Sequence, residues 1–595
     1  MFKKISQEPI IFLFRKMWQF AKGDRKLIIL FLLTFTISQL ILLSNPLIFR
    51  EFLNEIQHNG LGDHNIAYLI TILFVLLAVD LVFWVLHGPS RILENIVAFR
   101  TELKYKKYLL GGVLGLGLSW HTERDSGNTI DKINKASEAM FQFSRNTFII
   151  IEVFVQVIGT TIILLFFNIY IGLVALALLI VALLIIFQFD LRLVPQYKKL
   201  NLFDNKILAR IFDVLSNITT IKVLNIEKPI VSSTLKIFWK PFQLYKKNKI
   251  LIELKWFTGS VLFTFIVVLP LTVYVLFSLK HNIEIEVGTL SALYLYLSGL
   301  IGVYYVFTST YEGMIIRRTK ILNAVEIEEA FLAKQKIKKK KIPHWDMIHL
   351  QNVLFSYGSV RDNVYDIQNI SFDIFRGERI ALIGESGSGK TTFLKVIHGM
   401  YPNSKAEISF DGRVSQETNF ADINLKTTLV PQEPEIFSSS IRENITLGIG
   451  HTEKEILDAT NLSEFTSVIS RLPKGLSSVV NEKGVNLSGG QKQRLALARA
   501  LLFSGDKEVI LLDESTSSVD SETEVKIYKS IFKHFKSKTV VASIHKMNLL
   551  KYFDRIVMFT EGKIVDQGTF DELMSRNKKF QKDWNEYVSE HKDVT

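Results

Sequence analysis

The 595-residue sequence contains no cysteine. That excludes disulfides, thiol nucleophiles and cysteine-bound metal, and its 12 histidines have no cysteine pair with which to build a Cys₂His₂ zinc site. A cleavable signal peptide is not evident, because Met1–Lys26 is too polar and no A-x-A-like site follows it. No short-period repeat is visible. Lysine and arginine are missing from six long stretches: Leu27–Phe49, Ile66–Leu86, Thr147–Phe167, Ile169–Phe189, Phe257–Leu279 and about Val287–Phe307. Hydrophobic residues make up 48% of the chain, and they crowd into these runs of the first half. Each run has roughly 20 residues, enough to cross a hydrocarbon core of about 30 Å as a helix. A buried core helix can mimic one such run; six together read as membrane spans.

The loops set the expected orientation. Lys3, Lys4, Arg15, Lys22, Arg25 and Lys26 precede the first span, and the connections after the second and fourth spans are rich in lysine and arginine. The other three connections carry only Arg50 and Lys280, and the third and fourth spans are joined by a tight turn near Asn168. The basic loops and both termini are therefore expected in the cytoplasm. This topology accounts for most of the formal charge of +13, so no nucleic-acid partner is expected. Gln7–Ala21 reads either as a short amphipathic helix on the inner membrane surface or as a cytosolic lead-in.

The two basic connections are about sixty residues each and helical in pattern, which predicts that the spans extend into the cytosol. The helical pattern continues through Thr310–Ala333. KQKIKKKKIP, residues 334–343, reads as a linker, its lysines either solvated or held by anionic lipid. From Met347 the composition is that of a soluble α/β domain. IHLQNVLFSY and ISFDIF alternate like antiparallel strands; ERIALIG, EVILLDE, KTVVAS and RIVMF are apolar runs, the last ones separated by helical patterns, which implies a mainly parallel sheet.

Gly384-Glu385-Ser386-Gly387-Ser388-Gly389-Lys390-Thr391 matches the phosphate-binding P-loop in full, after a strand and at the start of a helix that continues with Thr392. The glycines let backbone N–H groups wrap phosphates, Lys390 supplies a charge to the outer phosphates, and the Thr391 hydroxyl is a ligand for Mg²⁺. Val509–Glu514 is a hydrophobic strand ending in two acids. Asp513 is placed to hold Mg²⁺ through water, and Glu514 to polarise an attacking water as general base. A second anion site is suggested by Ser488, Gly489 and Gly490, which open the helical run from Gln491.

These motifs resemble the nucleotide-binding domain of an ABC transporter, and the whole chain resembles a half-size exporter of type IV transmembrane fold. Leu487–Gln491 (LSGGQ) matches the signature motif, residues 430–448 the Q-loop region, Ser517–Asp520 the D-loop, His545 the switch histidine, and residues 554–573 the closing segment. SGNTIDKI, residues 126–133, extends the likeness into the first half. The family's usual arginine after the switch histidine is Lys546 here. The resemblance implies ATP and Mg²⁺ as cofactors, Tyr357 stacking on adenine, Gln432 sensing Mg²⁺ and the γ-phosphate, and Asp520 near the shared nucleotide. It also implies that the signature helix of one copy faces ATP on the P-loop of the other. That explains two phosphate-binding helix starts in one domain and makes a second copy the expected partner, a homologous half-transporter being the alternative. The expected organisation is an N-terminal segment (1–26), an all-α six-helix transmembrane domain (27–333), a linker (334–346) and an α/β P-loop ATPase domain (347–595).

The implied function is ATP-driven export or flipping of a hydrophobic or amphipathic peptide, lipid or drug across a bacterial inner membrane. Short coupling helices are expected near Gly111–Leu118 and Asn217–Val223. Because the spans begin almost at once, no N-terminal peptidase domain is expected. Alternatives are a soluble ABC ATPase acting on nucleic acid or ribosomes, against which the six spans argue, and an ATP-gated membrane regulator. Asp80, inside the second apolar run, is read either as lining the transport path or as a helix-pairing or water-facing residue. Tyr294, Tyr296, Tyr304 and Tyr305, with Gly299 and Gly302 between them, line a pocket or serve as interfacial aromatics and close packing.

Overall fold

The structure is a computed structural model that describes residues 8–124, 126–334, 344–357, 366–401, 404–414, 420–481, 484 and 486–590. The basic stretch from 335 to 343, most of the expected linker, lies outside the described residues. The chain divides into two compact units, Met1–Leu116 with Glu123–Lys336 and Gly117–Thr122 with Ile337–Thr595.

The first unit is helical among its described residues. Its elements are α1 (Pro9–Phe20), α2 (Arg25–Leu42), α3 (Asn45–Asn59), α4 (Ile66–Leu114), α6 (Ser126–Ser144), α7 (Thr147–Phe167), α8 (Ile169–Ser216), α9 (Ile218–Val223), α10 (Glu227–Trp239), α11 (Phe242–Lys280) and α12 (Val287–Lys334); the short α5 (Leu118–Thr122) belongs to the second unit. Six segments are long and apolar enough to cross a membrane, and they coincide with the six apolar runs. At 49 residues, α4 is about 74 Å long at 1.5 Å per residue. It overshoots the hydrocarbon by more than its thickness, as the helical connections led one to expect. Pro46 near the start of α3, with no N–H to donate, marks the break in the first span. Asn168 makes the tight turn between α7 and α8, its side chain accepting from Tyr170 N at 2.9 Å.

Three details decide or add to what the sequence left open. α1 does not offer its apolar face to lipid: Leu13, Met17 and Phe20 are buried as the helix packs on α4, α6 and α12. Lys16 fixes it there by pairing with Glu328 at 2.8 Å, and Glu328 also accepts the Tyr105 hydroxyl at 2.9 Å. The short helix of the first long connection falls at Leu118–Thr122 rather than Gly111–Leu118, because Gly111–Leu114 complete α4 and the helix stops at Gly115. The second, α9, lies where expected. Finally, α8 and α11 run against each other and share a buried ion pair, Lys255 Nζ to Asp190 Oδ1.

In the second unit, β1 (Met347–Phe355) pairs antiparallel with β2 (Ile367–Phe375) in a four-stranded sheet of order β2-β1-β4-β5, completed by β4 (Lys405–Phe410) and β5 (Arg413–Val414). A six-stranded sheet of order β10-β9-β3-β8-β7-β6 holds β3 (Arg379–Ile383), β6 (Thr427–Val430), β7 (Val509–Asp513), β8 (Thr539–Ser543), β9 (Arg555–Thr560) and β10 (Lys563–Gly568). It is parallel except for the β9–β10 hairpin. Strands β7 and β8 are buried along their whole length, which is why their sequences run apolar without alternation. The sheet is flanked by α13 (Lys390–Ile397), α14 (Gly489–Leu502) and α15 (Ser521–His534); α16 (Lys578–Glu590) closes the described chain. Strands β4, β6 and β10 are short or half exposed and carry no strong apolar run, so the sequence reading passes over them.

Candidate functional site

Strand β3 delivers the chain into the loop Gly384–Gly389, and α13 starts immediately after it. Three glycines of this loop have positive φ: Gly384 (147°), Gly387 (82°) and Gly389 (102°). At Gly384 a side chain is also excluded sterically, since a Cβ there would sit 2.3 Å from the Phe559 carbonyl oxygen. Lys390 folds back over the loop, donating to the Gly384 carbonyl at 2.7 Å and the Glu385 carbonyl at 3.0 Å. Burial pulls its pKa below the ordinary lysine value, against the pull of Glu514 and Asp513. Ser388 is buried, whereas Glu385 and Ser386 are exposed; Glu385 pairs with Lys579 of α16 at 2.8 Å. Thr392 meets the Tyr357 hydroxyl at 3.2 Å. The Tyr357 ring is 56% exposed, with Tyr401 edge-on to it. An open aromatic face beside the P-loop helix is what a purine base needs for stacking.

Strand β7 aims the two acids. Asp513 is buried, and its Oδ1 accepts the Thr391 hydroxyl at 2.8 Å. Its Oδ2 is buried with no hydrogen-bond partner. Burial raises the Asp513 pKa above the usual carboxylate range, with the Thr391 bond opposing and the Glu514 charge adding. A buried carboxylate oxygen without a donor, next to a threonine hydroxyl and a lysine, fits a divalent cation. Thr391 and Asp513 would hold Mg²⁺, with Gln432 within reach through Glu514.

Glu514 leaves the strand in the left-handed region, φ 45°, a conformation that costs a non-glycine residue on the order of 1 kcal/mol or more. Both carboxylate oxygens are gripped: Oε1 lies 2.5 Å from His545 Nε2, and Oε2 accepts from Gln432 Nε2 at 2.6 Å. Glu514 is therefore in direct contact with both the switch histidine His545 and the sensor Gln432.

The signature residues form a separate element. Ser488 caps α14: its hydroxyl accepts from Gln491 N at 3.3 Å, and its own N–H donates to Gln491 Oε1 at 3.0 Å, a closed capping box. Gly489 and Gly490 lie against Ser518, and a Cβ on Gly490 would sit 2.6 Å from the Ser518 carbonyl oxygen. Asp520 caps α15 by accepting from Thr523 N at 2.9 Å, and that backbone bond lowers its pKa. Ser488, Gly489, Gly490, Gln491 and Asp520 thus do not join the Glu514 cluster directly.

The sequence reading missed Gln493, which is buried and bridges α14 to both neighbouring loops; its position two residues beyond Gln491 was the available signal. It also missed Lys546 as a brace. That residue donates to the Val519 carbonyl at 2.7 Å and pairs with Glu524 at 3.1 Å. In the first unit Asp80 stands on the exposed side of α4 near Leu77, Leu81 and Trp84. Tyr296 is buried and donates to the Leu43 carbonyl at 2.6 Å, so it is a packing residue. Tyr305 stacks on Trp256 and Tyr294 is exposed; the Tyr304 side chain lies outside the described set.

Residues 28–304 match the family described as ABC transporter transmembrane region, and residues 367–517 the family described as ABC transporter. The chain is 37% identical over 240 residues to the heterocyst differentiation ATP-binding protein HepA of Nostoc sp., covering 40% of this chain and 39% of that protein. It is 36% identical over 231 residues to multidrug resistance protein 3 of Entamoeba histolytica, covering 38% of this chain and 17% of that one. The matches span well under half the length of these relatives. A bacterial Atm1-family ABC exporter with ATP bound shares the fold at a TM-score of 0.80 and 19% identity, with 94% of this chain and 98% of that chain covered.

Proposed function

This chain belongs to the ABC transporter family, a multi-pass membrane protein with a nucleotide-binding domain, and on that premise we propose that two copies form an ATP-driven exporter or flippase. The cargo is a hydrophobic or amphipathic molecule of the peptide, lipid or drug class. The membrane is a bacterial inner membrane, with both termini and the ATPase domain on the cytoplasmic side, where the lysine- and arginine-rich loops belong. The observation that carries the ATPase reading is the grip of His545 and Gln432 on Glu514, beside the Thr391–Asp513 pair.

In the proposed cycle the Gly384–Gly389 backbone wraps the phosphates. Lys390 turns from the loop carbonyls to the outer phosphates, and Tyr357 stacks on adenine. Thr391 and Asp513 would hold magnesium, which would supply positive charge to the outer phosphates. Glu514 polarises the attacking water and takes its proton, while His545 and Gln432 keep the carboxylate aimed. The signature residues Ser488–Gln491 and the Asp520 loop complete the site on the other copy's P-loop, so each nucleotide is clasped between two domains. Exposed apolar side chains at the end of α9, Val223 (74% exposed) and Leu224, support a second copy as the occupant of that surface. Domain closure on ATP, and opening after hydrolysis, then shift the spans between inward-open and outward-open states, with α5 and α9 as the coupling segments.

The test is reconstitution of the full chain in nanodiscs and proteoliposomes, with a panel of fluorescent lipids, peptides and amphiphilic dyes. ATPase stimulated by a cargo, and uptake of that cargo that stops in Glu514→Gln, is the expected result. Uptake that needs ATP binding but not hydrolysis would replace the exporter with a gated regulator.

A further inference from the structure

Gln493 is 6% exposed, and its amide is fully engaged. Nε2 donates to Ser517 Oγ at 2.9 Å and approaches the Gln432 carbonyl at 3.5 Å; Oε1 accepts from Ser518 N at 2.8 Å. Ser517 N in turn donates to the Glu514 carbonyl at 3.1 Å, and the Gln432 side chain donates to the Glu514 carboxylate. These bonds close a ring: Glu514, Gln432, Gln493, Ser517 and back to Glu514. The Gln493 amide is the one member of that ring contributed by α14, and it sits little more than one helical turn from Ser488.

The close approach of Gly490 to Ser518 seats the same helix on the same loop. A rigid helix so anchored at two points cannot shift its N-terminus without moving the ring, because interiors this well packed transmit displacement. In the shared-site arrangement proposed above, on which this step rests, Ser488 addresses the nucleotide on the other copy, whereas Glu514 acts on the nucleotide of its own P-loop. We infer that Gln493 is a positioning residue that links the two sites within one subunit: engagement of the signature helix at one nucleotide sets the position of Glu514 at the other. It does not touch the nucleotide; it acts through Gln432 and Ser517.

The experiment uses the full chain in nanodiscs. Gln493→Met keeps the side-chain volume and removes all its hydrogen bonds; Ser517→Ala removes one partner on an exposed loop and guards against misfolding of the first variant. ATPase is measured against ATP concentration, with vanadate-trapped nucleotide as the binding readout. For Gln493→Met, kcat should fall about ten-fold, as expected for losing one buried hydrogen-bonded link, while KM stays within about two-fold. The Hill coefficient, above 1 in the wild type, should fall to about 1. Ser517→Ala should move both in the same direction, and the double variant should cost no more than Gln493→Met alone. A wild-type Hill coefficient of about 1, an unchanged Hill coefficient in Gln493→Met, or additive losses in the double variant would overturn the link. A wild-type protein without ATPase activity would instead overturn the functional reading beneath it.

Discussion

Lys255 Nζ lies 2.6 Å from Asp190 Oδ1, and both side chains are almost sealed from solvent. The pair joins α8 to α11, the two helices that flank α9 and α10 in sequence. Removing one partner leaves an uncompensated buried charge, which costs about 3–5 kcal/mol. Lys255→Met should therefore lower the thermal midpoint of the reconstituted protein strongly. Lys255→Met with Asp190→Asn should recover most of the loss, because no net charge is then buried. Equal losses in the single and double variants would mean that the pair is not what holds the two helices.

Glu514→Gln should bind ATP and close, yet turn over at least about 100-fold more slowly, since an amide cannot take a proton from water. The amide has the carboxylate's size and keeps one oxygen for His545 or Gln432, so the fold around β7 should be kept. Trapped nucleotide at wild-type level with negligible phosphate release is the expected signature. Wild-type turnover would remove Glu514 from the base role.

Gly490→Ala tests close approach rather than chemistry. The new Cβ meets the Ser518 backbone oxygen at 2.6 Å, and backbone on both sides leaves no flexible end to yield. ATPase should fall by about ten-fold or more, given the 1–3 kcal/mol usual for overpacking. Gly505→Ala is the control: a Cβ there meets no atom within 4 Å, so its effect should stay within about 0.5 kcal/mol.

His398 gives the second domain an acid weakness. It is enclosed between Thr427 Oγ1 at 2.8 Å and Asn424 Nδ2 at 3.3 Å. Burial, with the Lys507 charge adding, lowers its pKa from 6.5 to about 4. The unfolded chain binds the proton first, so stability from the neutral imidazole is complete above pH about 6.5 and is lost as pH falls toward about 4. The full effect is about 3 kcal/mol at its limit. His398→Gln should flatten the thermal midpoint across that window; an unchanged pH slope would show that the imidazole enters no proton linkage.

How much of this was legible in the sequence depended on whether chemistry or packing fixed the residue. The P-loop, Asp513, Glu514 and His545 each need one residue type at one spacing, and the strands that carry them are buried along most or all of their length and therefore apolar, so they stood out. Gln493 and Lys546 are ordinary polar residues on a helix and a loop, and only the fold shows that they brace neighbours. Asp190 and Lys255 were invisible for a different reason. Each sits just outside an apolar run, where a charge is unremarkable, whereas the helices carry both side chains inward to meet. Asp80, which did stand out, has no ion-pair partner among the described residues: it is exposed on α4, and its role depends on what lies against that face in the membrane.

The sharpest test concerns the two phosphate-binding helix starts. One subunit carries Lys390→Ala, the other Ser488→Arg, and the two are linked as a fixed mixed dimer. Ser488 is the cap of α14, its hydroxyl tied to Gln491, so arginine there both opens the cap and places a long side chain where phosphate must approach. If each site joins one chain's P-loop to the other chain's signature, the mixed dimer has one doubly damaged site and one intact site. If each chain uses its own pair, both sites are damaged. Full turnover need not return in the first case, because the Gln493 link makes one site depend on the other. Trapping with vanadate and photolabelling reads occupancy directly. The shared arrangement predicts label on the Ser488→Arg subunit alone, since its P-loop is intact and faces an intact signature. Label no higher than in a homodimer carrying both substitutions would mean that each chain closes on its own nucleotide.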